Sequence, residues 1–302
     1  LMALAEGATD VLIGTHALFQ NDVGFKDLAL IIVDEQHRFG VDQRMALAAK
    51  GLAPHLLSMT ATPIPRTLML TAYGDMDHVS IPDKPPGRQD IKTVVTPLSR
   101  MDEVIGGVQR AMTKGDRVYW ICPLVEESET SDLAAAEDRA DDLRRILGDG
   151  IALAHGQMKA ADRDAAMASF ASGEAKVLVA TTVVEVGVDV PEATVIVIEH
   201  AERFGLAQLH QLRGRVGRGD KASFCVLLRA DGVTESAKAR LLAISNTNDG
   251  FKIAEEDLRL RGAGEVLGTR QSGLPDFRIA DLETQADLVA IARRDVDVIL
   301  AN

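Results

Sequence analysis

Along the chain, short continuously apolar runs alternate with segments whose apolar residues recur at helical spacing. Leu28 to Val33 (LALIIV), Val118 to Cys122 (VYWIC), Val177 to Ala180 (VLVA), Val195 to Ile198 (VIVI) and Ser223 to Leu228 (SFCVLL) are each bounded by polar or turn residues. Strands of this kind are buried on both faces, which predicts parallel α/β sheets. Helices are expected between them, at Arg100 to Met112 and Ala160 to Phe170, in a strand-helix-strand rhythm. Ile81 to Thr93 (IPDKPPGRQDIKT) carries three prolines and a glycine and reads as an interdomain hinge. From Thr234 onward the strand signals stop. Helices are predicted at Thr234 to Ser245 and Gly250 to Leu260, then a glycine-rich stretch from Arg261 to Gly273, then an amphipathic helix near Leu282 to Leu300. The expected regions are 1–84, 85–232 and 233–302.

Composition adjusts this picture little. With 302 residues, 46% of them hydrophobic, the chain can bury two ordinary cores, and no apolar run is long enough to span a bilayer. Cys122 and Cys225 stand in apolar runs without a paired cysteine motif, so reduced, buried thiols in a cytoplasmic protein are expected. The net charge of −12 argues at first against nucleic acid. Eight of the carboxylates, however, lie between Glu126 and Asp142, the pattern of a solvated loop and helix face, whereas Arg213, Arg215, Arg218 and Lys221 crowd together elsewhere.

The sharpest chemical signal is Asp34-Glu35-Gln36-His37, directly after LALIIV. In an α/β sheet, ligands bind at the C-terminal ends of the strands, so two adjacent carboxylates there can face a nucleotide. One can hold Mg²⁺ while the other orients and deprotonates the attacking water of phosphoryl transfer. An acidic strand end that merely caps the next helix is the plainer alternative. Downstream, Gln211 to Arg218 (QLRGRVGR) places Arg215 and Arg218 on the expected face of one helix, where their forks would match phosphate oxygens. Gly214 and Gly217 would weaken such a helix, which points to close approach of a ligand or another domain. Thr60-Ala61-Thr62-Pro63, Ala180 to Asp189 (ATTVVEVGVD), His155-Gly156 and Gly14-Thr15-His16 each follow an apolar strand and offer donors suited to phosphates. Singly, each is also an ordinary helix cap.

Their order is more telling. DEQH, TATP, HG, ATTVVEVGVDVP and QLHQLRGRVGR, in this succession on two α/β units, resemble the motifs of superfamily 2 helicases of the DExH type. DEQHRFGV at 34 to 41, MTATPIPRTL at 59 to 68, RFGLAQLHQLRGRVGR at 203 to 218 and LRLRGAGEVLGTRQSGLPDF at 258 to 277 resemble most closely the RecG family of DNA helicases. The resemblance implies two tandem RecA-like domains, the first truncated at its N-terminal side, and a C-terminal helical hairpin module. It also implies an ATP-dependent DNA helicase that uses ATP and Mg²⁺ to translocate on duplex DNA and remodel branched or forked DNA, with single-strand DNA-binding protein as a possible partner. In it, Asp34 and Glu35 would coordinate magnesium and activate water, and His37 would relay the nucleotide state. Thr60 and Thr62 would couple hydrolysis to motion. Thr15, His16, His155, Gly156, Thr181 and Thr182 would touch DNA phosphates. Gly187, Asp189, Gln211, Arg215 and Arg218 would complete the nucleotide site across the domain cleft, the two arginines as fingers. Arg270 and Gln271 would grip a partner from the glycine-rich loop.

One departure is an omission. No G-x-x-x-x-G-K-[ST] occurs, nor any Gly-Lys dipeptide, so the phosphate-binding loop is expected upstream and this chain alone is expected to be inactive. Two rival readings remain: the motor of the transcription-repair coupling factor, which resembles RecG, and a catalytically dead domain that only binds DNA or a partner. The second leaves Asp34, Glu35, Arg215 and Arg218 without a chemical reason.

Overall fold

The computed structural model describes residues 2–35, 39, 41–61, 77, 79–81, 88–123, 129–181, 190–261 and 286–300. The chain divides into two compact units whose main segments are Leu1–Pro63 and Ile64–Leu267. The expected boundary between 84 and 85 falls outside the described residues.

The first unit holds helix α1 (Met2–Ala5), a 3-10 turn (His16–Phe19), strand β1 (Leu30–Val33), helix α2 (Val41–Ala48) and strand β2 (His55–Ser58). β1 and β2 pair in parallel, Val33 opposite Ser58. Ile31 and Val33 bury one face of β1 against Leu47, with Phe19, Leu28, Phe39 and Leu56 packed around them. Burial on both faces was expected of this strand; instead Leu30 and Ile32, on the other side of the pleat, are more than half exposed among the described residues. The apolar run Val11 to Ile13 is likewise no strand. It pairs with no described strand, and an isolated extended segment leaves its backbone groups to solvent.

The second unit is a six-stranded parallel sheet in the order β3-β8-β7-β4-β6-β5. Its strands are β3 (Ile91–Pro97), β4 (Arg117–Ile121), β5 (Ile151–Ala154), β6 (Val177–Ala180), β7 (Ala193–Ile198) and β8 (Ser223–Arg229). Helices α3 (Met101–Thr113) and α4 (Glu129–Leu147) lie on one face, where Ile105, Val108, Ala136, Ala140 and Leu143 meet Val118, Trp120, Val177, Val179 and Val197. Helices α5 (Ala160–Ser172) and α6 (Leu206–Arg213) cover the other, where Phe170, Leu206, Leu209 and Leu212 meet Tyr119, Ile121, Leu178, Ile196 and Ile198. Successive strand residues therefore supply opposite cores, the reason that the central runs are apolar without alternation. β3 begins inside the expected hinge, which overran it at Ile91 to Thr93. Being an edge strand that buries Ile91 and exposes Lys92, it lacks the apolar signature of its neighbours.

Two further helices, α7 (Glu235–Asn246) and α8 (Gly250–Arg261), pack on α6 and on each other and complete the second core with Leu241, Ile244 and Ile253. Their ends follow capping rules. Thr234 accepts from Ala237 N–H at 3.2 Å, and Asp249 Oδ1 accepts from Phe251 N–H at 2.8 Å. Helix α9 (Ala286–Leu300) agrees with the expected final helix over those residues, while 282–285 lie outside the described residues. No described helix is long and apolar enough to cross a membrane.

Candidate functional site

In the first unit the parallel pairing of β1 and β2 sets two strand ends side by side, and the hydrogen bond from Met59 N–H to Val33 O at 2.8 Å carries the pairing to the edge. Asp34 and Glu35 follow at that edge. Glu35 is one of two described non-glycine residues with positive φ, at 49°, a conformation in which L-residues are strained. It is held by neighbours: its N–H donates to Asp34 Oδ1 at 2.9 Å, and its Oε2 accepts from the Thr60 hydroxyl at 3.4 Å and Ala61 N–H at 3.3 Å. Asp34, Glu35 and Thr60 are thus brought together, whereas His37 and Thr62 lie outside the described residues.

Thr15 precedes the 3-10 turn, and its side chain makes no capping bond. The His16 ring leans on Phe39, 4.9 Å between centroids, a neighbour that nothing in the sequence pattern announced.

In the second unit β5 and β6 are neighbours, and the residues that follow them meet at the C-terminal edge of the sheet. His155 is 7% exposed and Thr181 is fully buried, yet among the described residues His155 Nδ1 and Thr181 Oγ1 have no hydrogen-bond partner. Buried polar atoms without partners are uncommon and call for a ligand or ordered water. His155 Nε2 lies 3.6 Å from Glu137 Oε1 on α4, and Gly156 continues the turn that Met158 N–H closes onto His155 O. Thr182, Gly187 and Asp189 lie outside the described residues.

The arginine motif differs from its sequence reading in three ways. Gln211 stands on α6, but the helix ends at Arg213, so Arg215 and Arg218 follow it on a turn rather than sharing a helical face. Gly217 enforces the turn with φ 74°, and a Cβ there would stand 2.9 Å from Ile91 Cγ1. Gly214 O accepts from Arg88 at 3.2 Å and from Arg218 Nε at 3.3 Å. Gly217 therefore serves a turn and packing on Ile91 of β3, and Gly214 lies against the Arg88 guanidinium, both within this unit. Arg213 does not join a basic surface either. It is 2% exposed, and its Nη1 donates to Ile244 O at 2.6 Å and Thr247 O at 2.8 Å, at the C-terminal end of α7. A cation suits that negative helix end, although burial lowers the pKa of the guanidinium. Lys221 is held by Asp116 at 3.1 Å.

A second buried cluster escaped the sequence reading. Glu199, directly after β7, accepts from Trp120 Nε1 at 2.5 Å and holds Arg139 of α4 through both carboxylate oxygens. Only its position after an apolar strand could have flagged it. The two cysteines are buried and unbridged as expected, and burial pushes the Cys225 thiol up to about 12. Among the described residues no cluster of three metal-ligating side chains occurs.

The parallel sheet, with its polar residues gathered at the C-terminal strand edge, and a match of residues 99–220 to the Helicase conserved C-terminal domain family define the class of this unit: a helicase C-terminal domain. Residues 247–302 match the family described as ATP-dependent DNA helicase RecG, domain 3, C-terminal. The chain is 52% identical over 290 residues to the ATP-dependent DNA helicase RecG of Acidithiobacillus ferridurans, covering 96% of this chain and 42% of that one. It is 53% identical over 286 residues to RecG of Escherichia coli, covering 93% of this chain and 41% of that one. A solved structure of RecG bound to a three-way DNA junction superposes with a TM-score of 0.70 at 44% identity, over 95% of this chain and 37% of that one. The chain belongs to the RecG family of helicases. It spans about two fifths of the length of the relatives it matches.

Proposed function

We propose that this chain carries the coupling half of an ATP-driven DNA motor that translocates on duplex DNA and remodels branched or forked junctions. The observation that carries the reading is the Glu35 carboxylate, strained at a strand edge and fastened to the Thr60–Ala61 loop. A carboxylate so placed orients a water and accepts its proton during phosphoryl transfer. Magnesium keeps several waters and takes one or two carboxylates beside phosphate oxygens, and the adjacent Asp34 and Glu35 are a donor set that fits it. Bound there, the ion would neutralise phosphate charge.

The remaining roles are assigned on the family's motifs. His37 senses the nucleotide, and Thr60 and Thr62 couple its state to motion. Gly187, Asp189 and Gln211 bind nucleotide, and Arg215 and Arg218 stabilise the charge of the transferring phosphoryl group. Thr15, His16, His155, Gly156, Thr181 and Thr182 grip the DNA backbone; the unpartnered His155 Nδ1 and Thr181 Oγ1 support this for two of them. Arg270 and Gln271, which lie outside the described residues, act from the glycine-rich stretch of the sequence as a lever on DNA or on another part of the protein. A three-way junction in the matched RecG structure supports branched DNA as the substrate.

Glu35→Gln tests the reading in the protein that joins this chain to its phosphate-binding loop. The change keeps size and hydrogen bonding but removes the base. Hydrolysis should fall by about 10²-fold or more while nucleotide and junction still bind. Unchanged turnover in that variant would reduce Glu35 to a structural residue and end the proposal.

A further inference from the structure

Three rings meet in the first unit. His16 and Phe39 lie 4.9 Å apart between centroids at 41°, Phe19 and Phe39 5.2 Å apart at 59°, and His16 and Phe19 6.2 Å apart at 65°. Tilted and edge arrangements at these distances are the favourable ones for aromatic pairs. Phe19 and Phe39 root the cluster in the core around Ile31, Val33 and Leu47, which is the core that backs β1. The third ring, that of His16, is exposed and belongs to the turn that follows Gly14 and Thr15.

The cluster joins two segments with different proposed tasks. His16 and Thr15 belong to the loop assigned to DNA. Phe39 stands four positions beyond Glu35, on the segment that leaves the strained residue at φ 49°. Glu35 is in turn fastened to Thr60 and Ala61. A displacement of the His16 turn would press on Phe39, which follows the strained Glu35 by four positions in the sequence, residues 36–38 between them lying outside the described residues. Strained positions respond to small shifts because their surroundings alone hold them in place.

We propose that Phe39 is a positioning residue, and that its stack with His16 and Phe19 transmits DNA occupancy of the 14–16 loop to Glu35, so that DNA stimulates hydrolysis through this aromatic contact. The inference rests on the functional reading above and adds a route for one of its couplings. In this role the ring of His16 matters for its face. A contribution of its nitrogens to phosphate binding is separate.

Three variants of the protein that joins this chain to its phosphate-binding loop test the route: Phe39→Leu, His16→Leu and His16→Phe. DNA-free hydrolysis, hydrolysis at saturating junction DNA, DNA affinity and melting temperature are measured for each. Phe39→Leu should keep DNA-free hydrolysis and lower the melting temperature only by the modest amount that a smaller core side chain costs, yet lose DNA stimulation by about 5-fold or more, the lower range of an allosteric coupling. His16→Leu, a change at an exposed position, should lose stimulation at saturating DNA to a similar extent. His16→Phe restores the ring without its nitrogens and should recover most of the stimulation. Full stimulation in Phe39→Leu or in His16→Leu overturns the route, as does failure of His16→Phe to recover it. A parent protein that DNA does not stimulate would instead overturn the functional reading itself, a result distinct from a stimulated parent with equally stimulated variants.

Discussion

Arg213 shows how far a side chain's environment can depart from its neighbourhood in sequence. It stands among residues that read as a basic patch, yet it is buried and bonded to carbonyls of Ile244 and Thr247. Its Nη2 also donates to His210 Nδ1 at 3.1 Å. That contact requires a neutral imidazole. Burial first, then the positive charge of Arg213 and Arg88, pulls the His210 pKa down to about 4. The consequence for stability has a definite sign. Above the ordinary histidine value of 6.5 both folded and unfolded chains carry a neutral His210; between 6.5 and about 4 the unfolded chain takes up a proton that the folded chain refuses. Stability should therefore fall as the pH drops through that window, by about 3 kcal/mol at most from this residue. Urea midpoints measured from pH 7.5 down to about 4 should show the loss. The slope should flatten in His210→Gln, whose amide oxygen can still accept from Arg213. Identical slopes in the two proteins would assign the acid lability to other groups.

Among the elements, the turn after α6 decides where the motif arginines stand. A helix continued through Gly214 would have placed Arg215 and Arg218 on one helical stripe; the helix instead ends at Arg213, and Gly217 at φ 74° then lets the chain pass against β3. Gly217→Ala should therefore cost about 1–2 kcal/mol from the left-handed conformation alone. The clash of its Cβ with Ile91, at 2.9 Å, adds to that. Gly232→Ala, where a Cβ would meet nothing within 4 Å, is the matched control and should melt like the parent. Equal melting of both variants would show that the turn relaxes freely. The same part of the chain marks the limit of sequence reading for elements. The central strands β4, β6, β7 and β8 are legible within a residue or two because burial on both faces leaves an unbroken apolar run. Strand β3 is not, since at the edge only one side needs to be apolar and its prolines upstream resemble a linker. Val11 to Ile13 failed in the opposite direction: it is apolar enough for a strand but has no strand to pair with among the described residues.

For the whole molecule, the chain should fold without being a working motor. Its second unit has a complete six-stranded sheet with a core on each face, but the sequence holds no glycine-lysine phosphate cradle. Phosphate release from ATP by this chain, with or without junction DNA, should stay at the level of a Glu35→Gln control. Turnover that Glu35→Gln abolishes would mean that another loop of this chain cradles the phosphates.

What the sequence by itself determined is whatever depends on contiguous residues: the parallel α/β class, the helical tail, the DEQH carboxylates after an apolar strand, and the succession of motifs that marks a RecG-type helicase. Each is written in a few adjacent positions because strand burial, capping and strand-edge chemistry are local demands. The tertiary structure decided which residues those motifs meet. It turned Arg213 inward to carbonyls 31 and 34 positions away, set His16 against Phe39, bound Glu199 to Arg139 across 60 positions, and left His155 Nδ1 and Thr181 Oγ1 without partners at adjoining strand ends. None of these has a spacing signature. The strand order brings these residues near one another, and the need of a buried charge for a partner fixes where Arg213 and Glu199 bond.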